Sequence, residues 1–143
     1  MKLYFCISLQ RSGNTLLGSI LNQNKDITFT ANSPLTEIIY QLDLIKNQKD
    51  LRLSQHQNFP HNESLDNVIR KTFYTYSETF NTEYVINRSN WWSDGNLELL
   101  EKYFDKKIKF LILYRNPLEC LASLLKAYKV KKENIKIDAD YYM

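Results

Sequence analysis

Only three glycines, three prolines, two cysteines and two histidines occur in this chain of 143 residues. No stretch reads as a low-complexity linker, and no internal repeat is present. Cys6 and Cys120 lie far apart, each in or beside an apolar run, where a small buried hydrophobe belongs. No disulfide is expected of them. His56 and His61 match no metal-ligand spacing with the cysteines, so no metal site is expected either. No apolar run approaches the length of a membrane span. The opening Met1–Ile7 is too short for a secretory leader, and no small-residue cleavage site follows it. A soluble chain in a reducing compartment, the cytoplasm by default, is the expectation. The sequons Asn62-Glu63-Ser64 and Asn87-Arg88-Ser89 then read as chance matches.

Charge of one sign is also scarce. The net charge is +3 and the sequence pI about 8.8. There is no zinc finger, basic region or arginine-rich arm, so no nucleic-acid partner is expected. The mild excess would help to attract an anionic ligand. Apolar and aromatic residues, by contrast, are plentiful. Hydrophobic residues make up 43%, with 10 Tyr, 7 Phe and 2 Trp. That suits one globular domain over 1–143 and argues against disorder. The chain stops soon after its last clear strand–helix unit, as a fragment or an unusually short family member would.

Along the chain, strand patterns alternate with helix patterns. Leu3–Leu9 reads as a buried strand, Gln10–Asn14 as a polar loop, and Thr15–Asn24 as a helix with Leu16, Leu17, Ile20 and Leu21 on one face. Ile27–Thr30 is a short strand. Ser33 as N-cap and Pro34 in the first turn open a helix through Leu35, Ile38, Ile39, Leu42 and Ile45. A polar loop is expected over Asn47–Asn62 and a helix over Leu65–Phe80. Tyr84–Ile86 reads as a strand ending in a polar cluster, and Asp94-Gly95-Asn96 precedes a helix through Leu97, Leu100 and Phe104. Lys109–Tyr114, with Phe110-Leu111-Ile112-Leu113, is the clearest buried strand. Pro117 then opens a helix over Leu118–Tyr128. The run Lys129–Glu133 reads as a solvated face. Such alternation predicts an α/β fold: three layers around a mainly parallel sheet, like the P-loop nucleotide-binding folds.

Two segments carry chemistry. Gln10-Arg11-Ser12-Gly13-Asn14-Thr15-Leu16 links the first strand to the first helix, where free backbone N–H groups face an anion. Gly13 lets the backbone turn. Ser12, Asn14 and Thr15 can donate to phosphate oxygens, and Arg11 adds a permanent charge with a planar fork of donors. The loop lacks the second glycine and the lysine of a Walker A motif, which leaves a small-molecule kinase with Mg-dependent ATP chemistry as an alternative of little support. A capped helix with a solvated Arg11 would also account for it. In the second segment, Arg115 stands at the carboxyl end of a strand, where open α/β sheets bind ligands, and Ser123 lies about two turns into the next helix. The two can clamp one phosphate. Pairing of Arg115 with Glu119 is the plainer alternative.

These segments resemble the sulfotransferases that use PAPS (3′-phosphoadenosine 5′-phosphosulfate). That family has a 5′-phosphosulfate loop of the type P-R-S-G-[ST]-T-L and a 3′-phosphate motif of the type R-N-P-x-[DE]-x-x-x-S. Here the first stands as Gln10–Leu16, with glutamine in place of proline, and the second as Arg115-Asn116-Pro117-Leu118-Glu119 with Ser123. The resemblance spans about Leu3–Tyr128 and is thin between the motifs. It implies PAPS as cofactor, held by Arg11, Ser12, Gly13, Asn14 and Thr15 at one end and by Arg115 and Ser123 at the other. It implies sulfuryl transfer to a small-molecule or glycan acceptor, at a hydroxyl or amine, with no metal. Asn87-Arg88-Ser89-Asn90-Trp91-Trp92 is similar to a lysine-bearing family segment, with Arg88 at the lysine position. An arginine there would stabilise charge on the leaving oxygen rather than give up a proton. Trp91 and Trp92 read first as packing residues. The family's base has no counterpart at its usual place. Glu37 is the nearest candidate, although its position equally suits a first-turn charge on a helix dipole. A remnant that binds nucleotide without turnover is the other reading. Acceptor identity and oligomeric state are not legible.

Overall fold

The computed structural model describes residues 1–47 and 62–128. Nine elements follow one another: β1 Lys2–Ser8, α1 Asn14–Leu21, β2 Ile27–Thr30, α2 Leu35–Asn47, α3 Asn62–Glu78, β3 Tyr84–Arg88, α4 Asp94–Tyr103, β4 Phe110–Leu113 and α5 Pro117–Ala127. The expected polar loop before α3, with His56 and His61, and the run Lys129–Glu133 lie outside the described residues.

All four strands are parallel, in the order β2-β3-β1-β4. The chain leaves β1 toward one edge and later returns to its other side with β4. Such a reversal opens a crevice at the carboxyl ends of the strands on either side. Register puts Leu3 and Phe5 on the same face as Val85 and Asn87. That face is buried under α2, α3 and α4, which pack on one another. Its centre is aromatic: Phe5 meets Trp91 and Phe104 edge-on, each at 5.0 Å, and Phe73 at 6.2 Å. Phe29 belongs to the opposite face, where α1 crosses β2. A Cβ on Gly18 would come within 2.8 Å of the Phe29 ring, so the glycine is what lets α1 approach the sheet. Helices on both faces of a parallel sheet make the expected three-layer α/β architecture.

Three differences from the sequence reading bear on the site. β3 runs to Arg88 rather than stopping at Ile86, because Asn87 and Arg88 pair with Phe5 and Cys6 of β1. Pairing with a neighbour overrides the polar pattern. α4 begins at Asp94, three residues before its first apolar position. β4 is not a buried strand. Among the described residues it pairs with β1 alone, and Ile112 is 69% exposed. An apolar run of this length reports strand formation but not which faces are covered.

Candidate active site

The carboxyl ends of β1, β3 and β4 bring the two motifs together. In the β1–α1 loop, Arg11 (φ 64°) and Gly13 (φ 108°) both adopt left-handed backbone. For glycine this costs little; for arginine it costs on the order of 1–2 kcal/mol, which the surrounding structure must offset. Several bonds do so. The Leu9 carbonyl accepts from the Ser12 hydroxyl at 2.7 Å and from the Asn14 amide at 3.3 Å. The Arg11 carbonyl accepts from Arg115 Nη1 at 3.2 Å. Ser12 therefore spends its hydroxyl proton inside the loop, and Asn14 turns its amide inward. What the loop presents is backbone and the Arg11 guanidinium. Among the described residues, the N–H groups of Gly13, Asn14, Thr15 and Leu16 donate to no backbone carbonyl. They stand at the start of α1, where the helix dipole favours an anion.

The second motif sits across from the loop. Arg11 Nε donates to Ser123 Oγ at 3.2 Å, so residues 112 positions apart share one hydrogen bond. Arg115 has two partners, the Arg11 carbonyl and, through Nε, Glu119 at 3.0 Å. The plainer sequence reading of Arg115, its pairing with Glu119, is seen, and the same side chain lines the cleft. Asn116 is the N-cap of α5, its side-chain oxygen accepting from the Leu118 N–H at 2.9 Å, and Pro117 follows in the first turn. Within Arg115-Asn116-Pro117, then, one residue faces the cleft and two fix where the helix starts. The cleft holds about 590 Å³ and is lined by Arg11, Gly13, Asn14, Thr15, Arg88, Arg115 and Ser123, among others.

A second cavity, of about 490 Å³, adjoins the first and shares Gln10, Asn32, Arg88 and Leu124 with it. Arg88 thus stands where the two spaces meet, with Nε donating to Ser8 Oγ at 3.3 Å. Burial pushes the neighbouring Cys6 thiol up, against the pull of the Arg88 charge. Trp91 and Trp92 part company: Trp91 is 1% exposed within the aromatic core, and Trp92 is 43% exposed on the wall of the second cavity.

Behind that cavity lies a polar network that the sequence did not announce. Asn87 Nδ2 donates to Ser33 Oγ at 2.8 Å and Trp91 Nε1 donates to Asn87 Oδ1 at 3.1 Å. Ser89 Oγ donates to the Ser33 carbonyl at 2.9 Å, and Thr36 Oγ1 lies 2.5 Å from Ser89 Oγ. Ser33 also caps α2, accepting from the Leu35 N–H at 3.2 Å. Only that cap had a sequence signal.

Glu37 is not brought to the site. It is exposed on α2, accepts from Gln41 at 2.7 Å, and lines neither space. Among the described residues no carboxylate or imidazole lines either space. Cys6 and Cys120 are buried free thiols, Cys120 on the second cavity's wall. No described helix is long and apolar enough to cross a membrane.

A family model described as the sulfotransferase family matches residues 4–142. No curated protein matches the chain.

Proposed function

The chain belongs to the sulfotransferase family, and on that premise we propose that it moves a sulfuryl group from PAPS to an acceptor hydroxyl or amine. The observation that carries this reading is the pair of bonds that tie Arg11 to Ser123 and Arg115 to the Arg11 carbonyl. They make a single cleft from two motifs, each of a phosphate-binding type. Its donor set fits a nucleotide with an anion at each end: guanidinium groups of Arg11, Arg88 and Arg115, a hydroxyl at Ser123, and a row of free N–H groups.

PAPS, when bound, supplies an activated sulfuryl group, and its departing half is adenosine 3′,5′-bisphosphate. The residues of this chain bind and orient. Arg11 and the N–H groups of Gly13, Asn14, Thr15 and Leu16 hold the 5′ end. Arg115 and Ser123 hold the 3′-phosphate, Arg115 leaving Glu119 or sharing itself with it. Arg88, between the two spaces, stabilises the negative charge that develops on the bridging oxygen. The second cavity takes the acceptor. In such a displacement, alignment and charge stabilisation supply most of the rate. Glu37 has no place in this scheme where it stands, so as the acceptor's oxygen or nitrogen bonds to sulfur and the bridging S–O bond breaks, the acceptor's proton passes to solvent. We place the reaction in a reducing compartment such as the cytoplasm, in keeping with the two free thiols.

Calorimetric titration tests the reading. Adenosine 3′,5′-bisphosphate should bind with micromolar or tighter affinity and without added metal. Equal or better binding of ADP with Mg would replace it with a kinase reading. Failure of a folded chain to bind either would leave a remnant.

A further inference from the structure

The network behind the second cavity has a fixed polarity. Ser89 has one hydroxyl proton, and it goes to the Ser33 carbonyl, which can only accept. In the bond between Thr36 and Ser89, Ser89 can therefore only accept, and the Thr36 proton must point at it. With its proton spent, the Thr36 oxygen has only lone pairs left to offer. The geometry holds it there: Thr36 sits in the first turn of α2, Ser33 is tied to both Asn87 and the Leu35 N–H, and all members are buried. Thr36, Ser33 and Ser89 all line the cavity.

We propose that Thr36 is the specificity-determining residue of the acceptor site, a hydrogen-bond acceptor that receives the O–H of an uncharged, largely apolar alcohol. This rests on the sulfotransfer reading above. Leu9, Trp92, Pro117, Leu121 and Leu124 supply apolar wall, with the exposed Trp92 ring able to stack on a flat molecule. Arg88 is the charged group on that wall, and it disfavours a protonated amine. Donating to Thr36 turns the substrate's hydroxyl lone pairs away from α2. A group that could only accept would meet lone pair with lone pair, so an alcohol is held and its ether is refused.

Naphthalen-1-ylmethanol and its methyl ether test this by calorimetry, because neither ionises near neutral pH. The wild-type chain should prefer the alcohol about three- to tenfold, the worth of one net hydrogen bond. Thr36→Val should abolish the preference, lowering the alcohol and relieving the ether of the lone-pair contact. Thr36→Ser should restore the preference. Ser89→Ala frees the Thr36 proton, so the ether should gain and the preference shrink. Adenosine 3′,5′-bisphosphate should bind all variants alike, which also shows that they fold. The proposal falls if the preference survives Thr36→Val, if that variant weakens both compounds equally, or if wild type binds neither while it binds the bisphosphate. If the alcohol preference is present and the bisphosphate does not bind, the donor reading falls and the role of Thr36 stands.

Discussion

The two segments that line the cleft do so in opposite ways. In the β1–α1 loop, Ser12 and Asn14 are spent on shaping the backbone, both donating to the Leu9 carbonyl, and N–H groups at the start of α1 are left without a backbone acceptor. In the β4–α5 segment the backbone is capped by Asn116 and Pro117, and the side chains of Arg115 and Ser123 line the cleft. Apart from Arg11, whose guanidinium also lines the cleft, the first arrangement offers backbone rather than side chains. The second depends on one guanidinium, just past the end of β4, and one hydroxyl on α5. Loss of a side chain should therefore cost binding in the second segment and shape in the first.

The largest effect is expected between the two. Arg88→Ala removes the charge that both spaces share, and release of bisphosphate from PAPS should slow about 10²- to 10³-fold. Affinity for the bisphosphate should change far less. A comparable loss in both would make Arg88 a binding residue and erase its distinction from Arg115.

In the loop, Gly13→Ala tests shape alone. A Cβ there meets nothing within 4 Å, so the cost is the left-handed backbone, about 1–2 kcal/mol in thermal or denaturant unfolding. Ser12→Ala should weaken bisphosphate binding by only a few-fold, with lower loop protection in hydrogen exchange. A hundredfold loss of affinity would mean that the Ser12 hydroxyl meets the ligand directly.

Smallest for the site is Asp43→Asn, two turns along α2 from Thr36. Burial raises the Asp43 carboxyl, but hydrogen bonds from Lys102 and Tyr103 outweigh it and hold the group below the usual carboxylate range. A lowered folded-state value means stability that is present above about pH 4 and lost as pH falls through the folded value. The variant should lose about 1–2 kcal/mol at pH 7, converge on wild type in acid, and bind bisphosphate unchanged. A wild-type-like unfolding midpoint at pH 7 would remove Asp43 from the packing of α2 on α4.

Sequence and structure agree where local chemistry is strong. Strand order alternating with helices, the glycine loop, and the spacing of Arg115 and Ser123 were all legible, since each follows from nearest neighbours in the chain. What stayed hidden depends on long-range pairing. The Leu9 carbonyl as the target of Ser12 and Asn14 has no pattern of its own. The role of Thr36 arises only when β3 runs on to Arg88 and sets Ser89 beside α2. Glu37 is the carboxylate nearest in sequence to the place where the resembled family carries its base, and helical periodicity turns it outward while its neighbour Thr36 turns in. β4 looked buried because all its residues are apolar; which side of a strand has a neighbour is decided by topology.

The division between the two segments is tested most directly by one ratio, the affinity for adenosine 3′,5′-bisphosphate over that for adenosine 5′-monophosphate, in wild type and in Arg115→Ala. Wild type should favour the bisphosphate by about 10- to 100-fold, the worth of a charge-assisted clamp on one phosphate. In the variant the ratio should fall close to one, with binding of the monophosphate unchanged. A ratio that survives the substitution, or an equal loss for both ligands, would contradict the assignment of Arg115 to the 3′-phosphate.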